Sequence, residues 1–246
     1  MVHFAASVPA RHRWTSVNST ALSARKAGWP EVTPTVWFPN GDRLRLRPLL
    51  RSDGARWAAL RLADEEYLRP VEPTTTSTWQ RSHSPSERRV FASMLRRQAA
   101  VGEIAPFAIE LNGEFVGQFT VGGIQNGTMN QCWIGYWVAH SYTGRGIATV
   151  ACALGTQHAF DRLGVHRVTA TYLPENQASA TVLAKNRFSY EGVLRKAIHI
   201  DGQWRDHVQV SLVANDFLDL PVTHLIEQGH IRPSEQDAHL FGATPW

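Results

Sequence analysis

No run of 18 or more consecutive apolar residues occurs in the 246-residue chain, so nothing in it reads as a membrane-spanning helix. Cysteine is scarce: Cys132 and Cys152 lie 20 residues apart, a spacing that suits neither a metal clip nor a disulfide framework. A reducing, cytoplasmic setting with both thiols in the core is the simpler reading, and no metal site is expected. Acidic residues are absent from the first 30 positions, which hold Arg11, Arg13, Arg25 and Lys26. These four account for the whole net charge of +4, because residues 31–246 balance 21 basic against 21 acidic side chains. A neutral body argues against a protein built to neutralise nucleic-acid phosphates. The basic arm 1–30 is then the candidate for any weak ribosome or RNA contact.

The composition that is present, 43% hydrophobic and 19% charged, belongs to a globular chain able to bury a core. The first 30 residues resemble a transit peptide in composition, a disordered arm or an over-extended start explains them equally well, and residues 1–38 are expected outside the fold. The alternation Asp42-Arg43-Leu44-Arg45-Leu46-Arg47 predicts a half-buried strand. Helical spacing follows over 55–67, then a Pro-, Thr- and Ser-rich loop over 70–83. Ser84-Pro85-Ser86-Glu87 is a capping-box pattern that should open a helix to about Ala100, with Val90, Phe91, Met94 and Leu95 on its buried side. Asn112-Gly113 between two alternating runs predicts a tight hairpin. A strand over 132–139, a helix over 146–163, a strand over 166–172 and a helix over 176–186 come next. Asp201-Gly202 marks a second hairpin between 194–200 and 204–212. With no repeat and no long linker, the reading is one α+β domain over 39–218 with a mixed sheet, followed by an ambiguous polar tail, 219–246.

The informative stretch runs from Trp133 to Thr149. A strand enters the turn Thr143-Gly144-Arg145-Gly146-Ile147-Ala148, which opens a helix. Glycines allow an anion to approach the backbone closely, first-turn amides have no partners within the helix, and the helix dipole favours negative charge there. Together these make a pyrophosphate cradle; packing alone is the competing explanation of the two glycines. A P-loop is disfavoured because no Lys-Ser/Thr pair follows the second glycine. A dinucleotide fold is disfavoured because the third glycine is missing and a hairpin precedes the turn.

At these residues the chain resembles the GCN5-related N-acetyltransferases. Ile134-Gly135-Tyr136-Trp137-Val138 followed by Thr143 to Thr149 is similar to their motif A, Gln/Arg-x-x-Gly-x-Gly/Ala, with Gly146 and Ala148 in the last two key places and Thr143 in the first. Leu163 to Val168, Pro174-Glu175-Asn176-Gln177-Ala178-Ser179, Val182 to Phe188 and Glu191 to Arg195 follow at family distance. Order and spacing are those of the RimJ/RimL branch, the ribosomal-protein-alanine acetyltransferases, over about 42–217.

The resemblance implies a mostly antiparallel twisted sheet of about seven strands flanked by about four helices, and acetyl-CoA as acetyl donor. It implies that Trp137, Val138 and Ala139 hold the pantetheine arm, that Thr143, Gly144, Arg145, Gly146, Ile147, Ala148 and Thr149 hold the pyrophosphate, and that Asn176 and Lys185 also contact the cofactor. Asn176 and Ser179 would lie near the sulfur, although helix capping explains both equally simply. Many relatives carry Glu where this chain has Trp133, a tyrosine acid where it has Leu183, and Gly where it has Arg187. The proton donor would then be Ser179 or a water. Tyr136 and His140 would be replacement bases, each with a structural role as the alternative. The implied acceptor is a protein α-amine, in the first place the N-terminal alanine of a ribosomal protein, with a small-molecule amine or a catalytically silent CoA-binding module as the alternatives, and the implied assembly is a monomer or homodimer. An α-amine has a pKa of about 7.7–8.0 against about 10.4 for lysine, so it needs only a weak base or a water relay.

Overall fold

Both hairpins form at the turns the sequence marks. Asn112 and Gly113 take φ of 53° and 92°, and Asp201 and Gly202 take 40° and 83°, the left-handed pair that a two-residue loop requires and that Asn, Asp and Gly tolerate. In the computed structural model, which describes residues 30–216 and 220–241, these hairpins belong to one nine-stranded sheet. The strands are β1 (Val36–Trp37), β2 (Arg43–Pro48), β3 (Ile104–Leu111), β4 (Glu114–Gln125), β5 (Gln131–Val138), β6 (Arg167–Tyr172), β7 (Ser189–Ile200), β8 (Gln203–Val213) and β9 (Arg232–Pro233). Their order is β7-β8-β6-β5-β4-β3-β2-β1-β9. Every pairing is antiparallel except β5 with β6, the two strands joined by a helical crossover.

Seven helices accompany the sheet among the described residues: α1 (Gly54–Ala63), α2 (Glu65–Leu68), α3 (Trp79–Ser82), α4 (Pro85–Ala100), α5 (Ile147–Asp161), α6 (Gln177–Lys185) and α7 (Pro221–Glu227). The crossover helix α5 is apolar around its circumference, and from Val150 to Phe160 every residue is buried. That is the signature of a central helix covered on several sides. It packs on the sheet and against α6 and α7, and Gly155 lies against the Phe119 ring of β4.

Four expectations are corrected. The helical spacing over 55–67 is divided at Asp64, whose φ and ψ of −100° and 18° separate α1 from α2. The loop over 70–83 contains the turn of α3, capped by the Thr78 hydroxyl accepting from the Arg81 N–H. Ser84 caps α4, accepting from the Glu87 N–H, but the buried line runs through Leu95 and Ala99. Val90 and Met94 are 64% and 46% exposed, because α4 turns its Phe91–Leu95–Ala99 face toward Leu49 and Ile104. Finally, residues 31–38 are part of the fold. Val36 is fully buried, β1 pairs with β2 across Asn40-Gly41, and Glu31 is buried against His158 and Arg162. The tail packs too: α7 buries Val222 and Leu225 beside α5, and β9 pairs with β1. Residues 1–29, and with them the basic arm, lie outside the described residues.

Candidate active site

β5 is laddered on one side to β4 from Gly117↔Val138 to Gly122↔Trp133. On its other side, parallel pairing with β6 stops after Gln131, Cys132 and Trp133. Beyond that point β6 continues toward Tyr172 paired only with β8, so Ile134 to Val138 present one free backbone edge. The gap is therefore lined by backbone N–H and C=O groups that have no ladder partner, and such groups seek one.

The strand ends in a 3-10 turn over His140–Tyr142, and the chain enters α5 through Gly144 and Gly146, with φ of 74° and 76°. A non-glycine residue is strained in that region. Gly146 is the N-cap of α5 and supplies no side chain to the helix end. Among the described residues, no acceptor meets the amide N–H groups from Gly144 to Thr149, whereas the Val150 N–H already bonds the Gly146 carbonyl. The result is a cluster of unengaged donors at the positive end of a 15-residue helix. Gly146 is exposed, and the Phe38 ring lies 3.7 Å from where its Cβ would stand.

Side chains in the turn are mostly engaged. The Thr143 hydroxyl donates to the His140 carbonyl at 2.8 Å, and the Arg145 guanidinium binds Asp42 at 2.7 Å and lies 5.5 Å from the Tyr142 ring. Hydrogen bonds from Asn112, Asn40 and Arg145 hold the Asp42 carboxyl below its usual range. Ile147 is buried and roots the turn in the core; Ala148 and Thr149 are half-buried. What the turn offers an anion is backbone.

Across the gap stands the start of α6. Asn176 caps it, its Oδ1 accepting from the Ser179 N–H at 3.0 Å, which leaves the Asn176 amide donors available. The Ser179 hydroxyl lies 3.3 Å from the Tyr136 phenol oxygen. Burial pushes the Tyr136 phenol well above its ordinary value, with Cys152 adding to the rise and the Ser179 contact opposing it. Tyr136 is thus a neutral hydroxyl, able to donate a hydrogen bond and unsuited to serving as a base. Its ring stacks on Phe119 at 6.2 Å and 4°. At the other end of α6, the Asn186 amide donates to the Thr149 carbonyl at 3.1 Å. That stitch brings exposed Lys185, the preceding residue, beside the first turn of α5.

Trp137 alternates to the opposite face from Tyr136. There Arg61 sits 5.2 Å from its ring, 5.0 Å from Trp57 and 5.3 Å from Trp79. Arg61 also donates to His83 Nε2 at 2.7 Å and binds Glu72. Burial lowers the His83 pKa. On the same side, the His140 ring stacks on Tyr67 at 3.5 Å while its N–H bonds Asp64. The 69–74 segment is tied to the β7–β8 hairpin by Pro73↔Ile200, by the Thr74 N–H to the His199 carbonyl at 2.8 Å and by Arg69 to Asp201 at 3.2 Å. These contacts bound a groove that leads to the gap.

Of the sequence-derived residues, Tyr136, Asn176 and Ser179 come together. Trp137 and Val138 lie on the diverging strand, and Thr143 to Thr149 form the turn; Ala139, expected on the same edge, follows the strand with its N–H given to the Val116 carbonyl and its carbonyl taken by the Tyr142 N–H. Trp133 and Leu183 stand apart from any proton chemistry. The Trp133 ring lies across Gly122 and Gly123, where an added Cβ would come within 2.6 Å of it, and Leu183 is 2% exposed in the core. Two neighbours of the site escaped the sequence reading. Asn186 gave no signal, but Phe38 did: Asn40-Gly41 after Val36-Trp37-Phe38 is a hairpin mark of the same kind as Asn112-Gly113. Among the described residues, no group of three or more His, Cys, Asp or Glu could hold a metal, and no helix is long and apolar enough to cross a membrane.

Comparison with known proteins follows the same lines. The family model described as "Acetyltransferase (GNAT) domain" matches residues 43–189. The [Ribosomal protein uS5]-alanine N-acetyltransferase of Escherichia coli is 28% identical over 179 residues, 72% of this chain and 90% of that protein. Spermidine N(1)-acetyltransferase of the same organism is 24% identical, with 74% and 91% covered. Among solved structures, Mycobacterium smegmatis RimJ in complex with CoA-disulfide superposes with a TM-score of 0.81 at 41% identity, covering 84% of this chain and 99% of that one.

Proposed function

This chain belongs to the GNAT acetyltransferase family and is an acetyl-CoA-dependent N-acetyltransferase of the RimJ/RimL type, from which we propose that its acceptor is a protein α-amine, in the simplest case the N-terminal alanine of a ribosomal protein in the cytoplasm. The observation that carries the reading is the pairing of the open β5 edge with the unengaged amides of Gly144 to Thr149. A nucleotide diphosphate fits the amides, and an amide-bearing pantetheine chain fits the edge.

Acetyl-CoA supplies an activated acyl group whose leaving group is a thiol. The chain's own residues then have three tasks. The turn amides and Lys185 hold the diphosphate. The backbone edge of Trp137 and Val138, with the Asn176 amide, would orient the thioester. Ser179, 3.3 Å from the neutral Tyr136 phenol, would pass to the departing sulfur the proton that the attacking amine gives up. The nearby carboxylates are already engaged, Glu72 by Arg61 and Asp64 by the His140 backbone N–H. A site so poor in strong bases suits an amine that is already partly neutral at pH 7, as an α-amine is, whereas a lysine starts about 3.4 kcal/mol behind.

The test is direct. Purified protein with acetyl-CoA is offered Ala-first and Ser-first peptides, the same peptides blocked at the α-amine but carrying lysine, and spermidine, with free thiol and product mass as readouts. Acetylation of the open Ala-first peptides is expected; acetylation only of lysine side chains or spermidine would overturn the acceptor assignment. Gly146→Val should abolish CoA binding well below the melting temperature of the variant, which the strain of a β-branched residue at φ 76° lowers, because the side chain enters the anion's space. Retained affinity would remove the cradle from the account.

A further inference from the structure

Away from the acetyl-transfer groove, α1, α4 and the β2–α1 connection enclose a cleft of about 290 Å³. Its floor is apolar: Leu49, Trp57, Phe91, Leu95 and Pro106. Its rim is cationic, formed by Arg51, Arg88, Arg89 and Arg96. None of the four makes an ion pair or a side-chain hydrogen bond among the described residues. The neighbouring carboxylates are already committed, Asp53 to Arg47 at 2.7 Å and to the Leu50 N–H, and Glu110 to Arg45 and Arg47. Arg88 and Arg96 are half-buried, and a guanidinium withdrawn from water without an anion is unfavourable. Arg88 lies directly over Gly54, where an added Cβ would strike its guanidinium. That packing sets a cation against the positive end of α1.

We infer that this cleft binds a small amphipathic anion: a carboxylate held by Arg88 and Arg96, with an unbranched hydrocarbon tail on the Trp57–Phe91–Leu95 floor. The basic arm, with Arg11, Arg13, Arg25 and Lys26 and no acid, is not suited to the place. The volume is at the small end of the range of about 300–1,000 Å³ for ligand pockets, which are mostly apolar with a few placed polar groups. A compact concavity favours a single small molecule over a protein helix, which would need a long groove.

Decanoate, below its aggregation concentration, is titrated calorimetrically into the full chain saturated with CoA. Saturation keeps the acid out of the acyl-donor site, so this test stands or falls independently of the acceptor assignment. Saturable one-to-one binding is expected, at least about tenfold tighter than decanol or acetate. Arg88→Gln with Arg96→Gln should weaken it at least about tenfold, and Ala92→Trp, which fills the cleft, should eliminate it. CoA affinity and melting temperature should stay unchanged in both variants. Absent binding, equal binding of decanol, or undiminished binding in both variants overturns the inference. Binding of an acidic amphipathic peptide without decanoate binding would assign the cleft to a protein partner instead.

Discussion

At the scale of single residues, the site depends on two hydroxyls, Tyr136 and Ser179, brought within hydrogen-bond reach. The Tyr136 phenol is held neutral by desolvation, and the Ser179 hydroxyl 3.3 Å away is the partner through which it can act. Tyr136→Phe and Ser179→Ala should each lower kcat about a hundredfold while leaving the KM for acetyl-CoA nearly unchanged, as loss of a general acid does. Stopped-time thiol release measures both; a raised KM at normal kcat would make Ser179 a binding residue. Arg187 shows how far one position was legible. The resemblance marks it as a place for Gly, and the backbone explains why, since φ is 63° immediately after α6, where a helix commonly closes through a left-handed residue. Cys132 and Cys152 are buried, and burial lifts each thiol to about 12, in keeping with the core role read from their spacing.

At the scale of elements, the crossover helix and the Trp–Arg cage set the geometry of the two faces of β5. Gly155→Ala would drive a methyl to 2.1 Å from the Phe119 ring, which is fully buried and stacked on Tyr136. Overpacking of this kind costs about 1–3 kcal/mol, so urea denaturation should show that loss, together with a lower kcat as the Tyr136 ring shifts. In the cage, Arg61 donates to His83 Nε2, so the His83 Nδ1–H donates to the Trp79 carbonyl at 2.7 Å and the ring is neutral. Its folded pKa lies below the unfolded value of 6.5. Above that value its contribution to stability is fully present. As pH falls below it, the unfolded chain binds a proton that the folded chain refuses, and stability drops. The melting temperature should therefore fall between about pH 6.5 and 5, and His83→Gln should flatten that slope. An unchanged slope would place the acid sensitivity elsewhere.

Element boundaries were readable where turn chemistry was local. Asn112-Gly113, Asp201-Gly202 and Ser84-Pro85 act on their own backbone. Periodicity was a weaker guide. The 55–67 pattern did not reveal the break at Asp64, whose N–H bonds the Leu60 carbonyl as the cap of α1 while its carboxylate receives the His140 N–H from 76 positions away. Val90 and Met94 have core-like spacing, yet the surface α4 meets determines which apolar stripe is covered.

At the scale of the whole molecule, the two ends of the described chain close the sheet together. β1 lies between β2 and β9; Thr35 donates its N–H to Asp237 at 3.3 Å, and Glu31 reaches His158 and Arg162 on the central helix. A chain truncated to begin at residue 30 sets the reference melting temperature and CoA affinity. Deleting 1–38 should lower both, because it removes the strand that holds β9 and the Phe38 ring beside Gly146. Calorimetry and a CoA titration separate the two truncations, and equal behaviour would show β1 to be dispensable.

The glycine turn, the strand before it, the caps of α4 and α6 and the pattern of two hairpins were determined by the sequence alone, because each rests on backbone preferences of a few adjacent residues. The family resemblance followed from the order of those same local motifs. Tertiary structure alone decided that β5 parts from β6 after Trp133, that Tyr136 meets Ser179 across the gap, that Arg61 is enclosed by three tryptophans, and that residues 31–38 complete the sheet. Each of these joins positions tens to hundreds of residues apart. Such contacts depend on which surfaces the packed core leaves available, and no window of neighbouring residues carries that information.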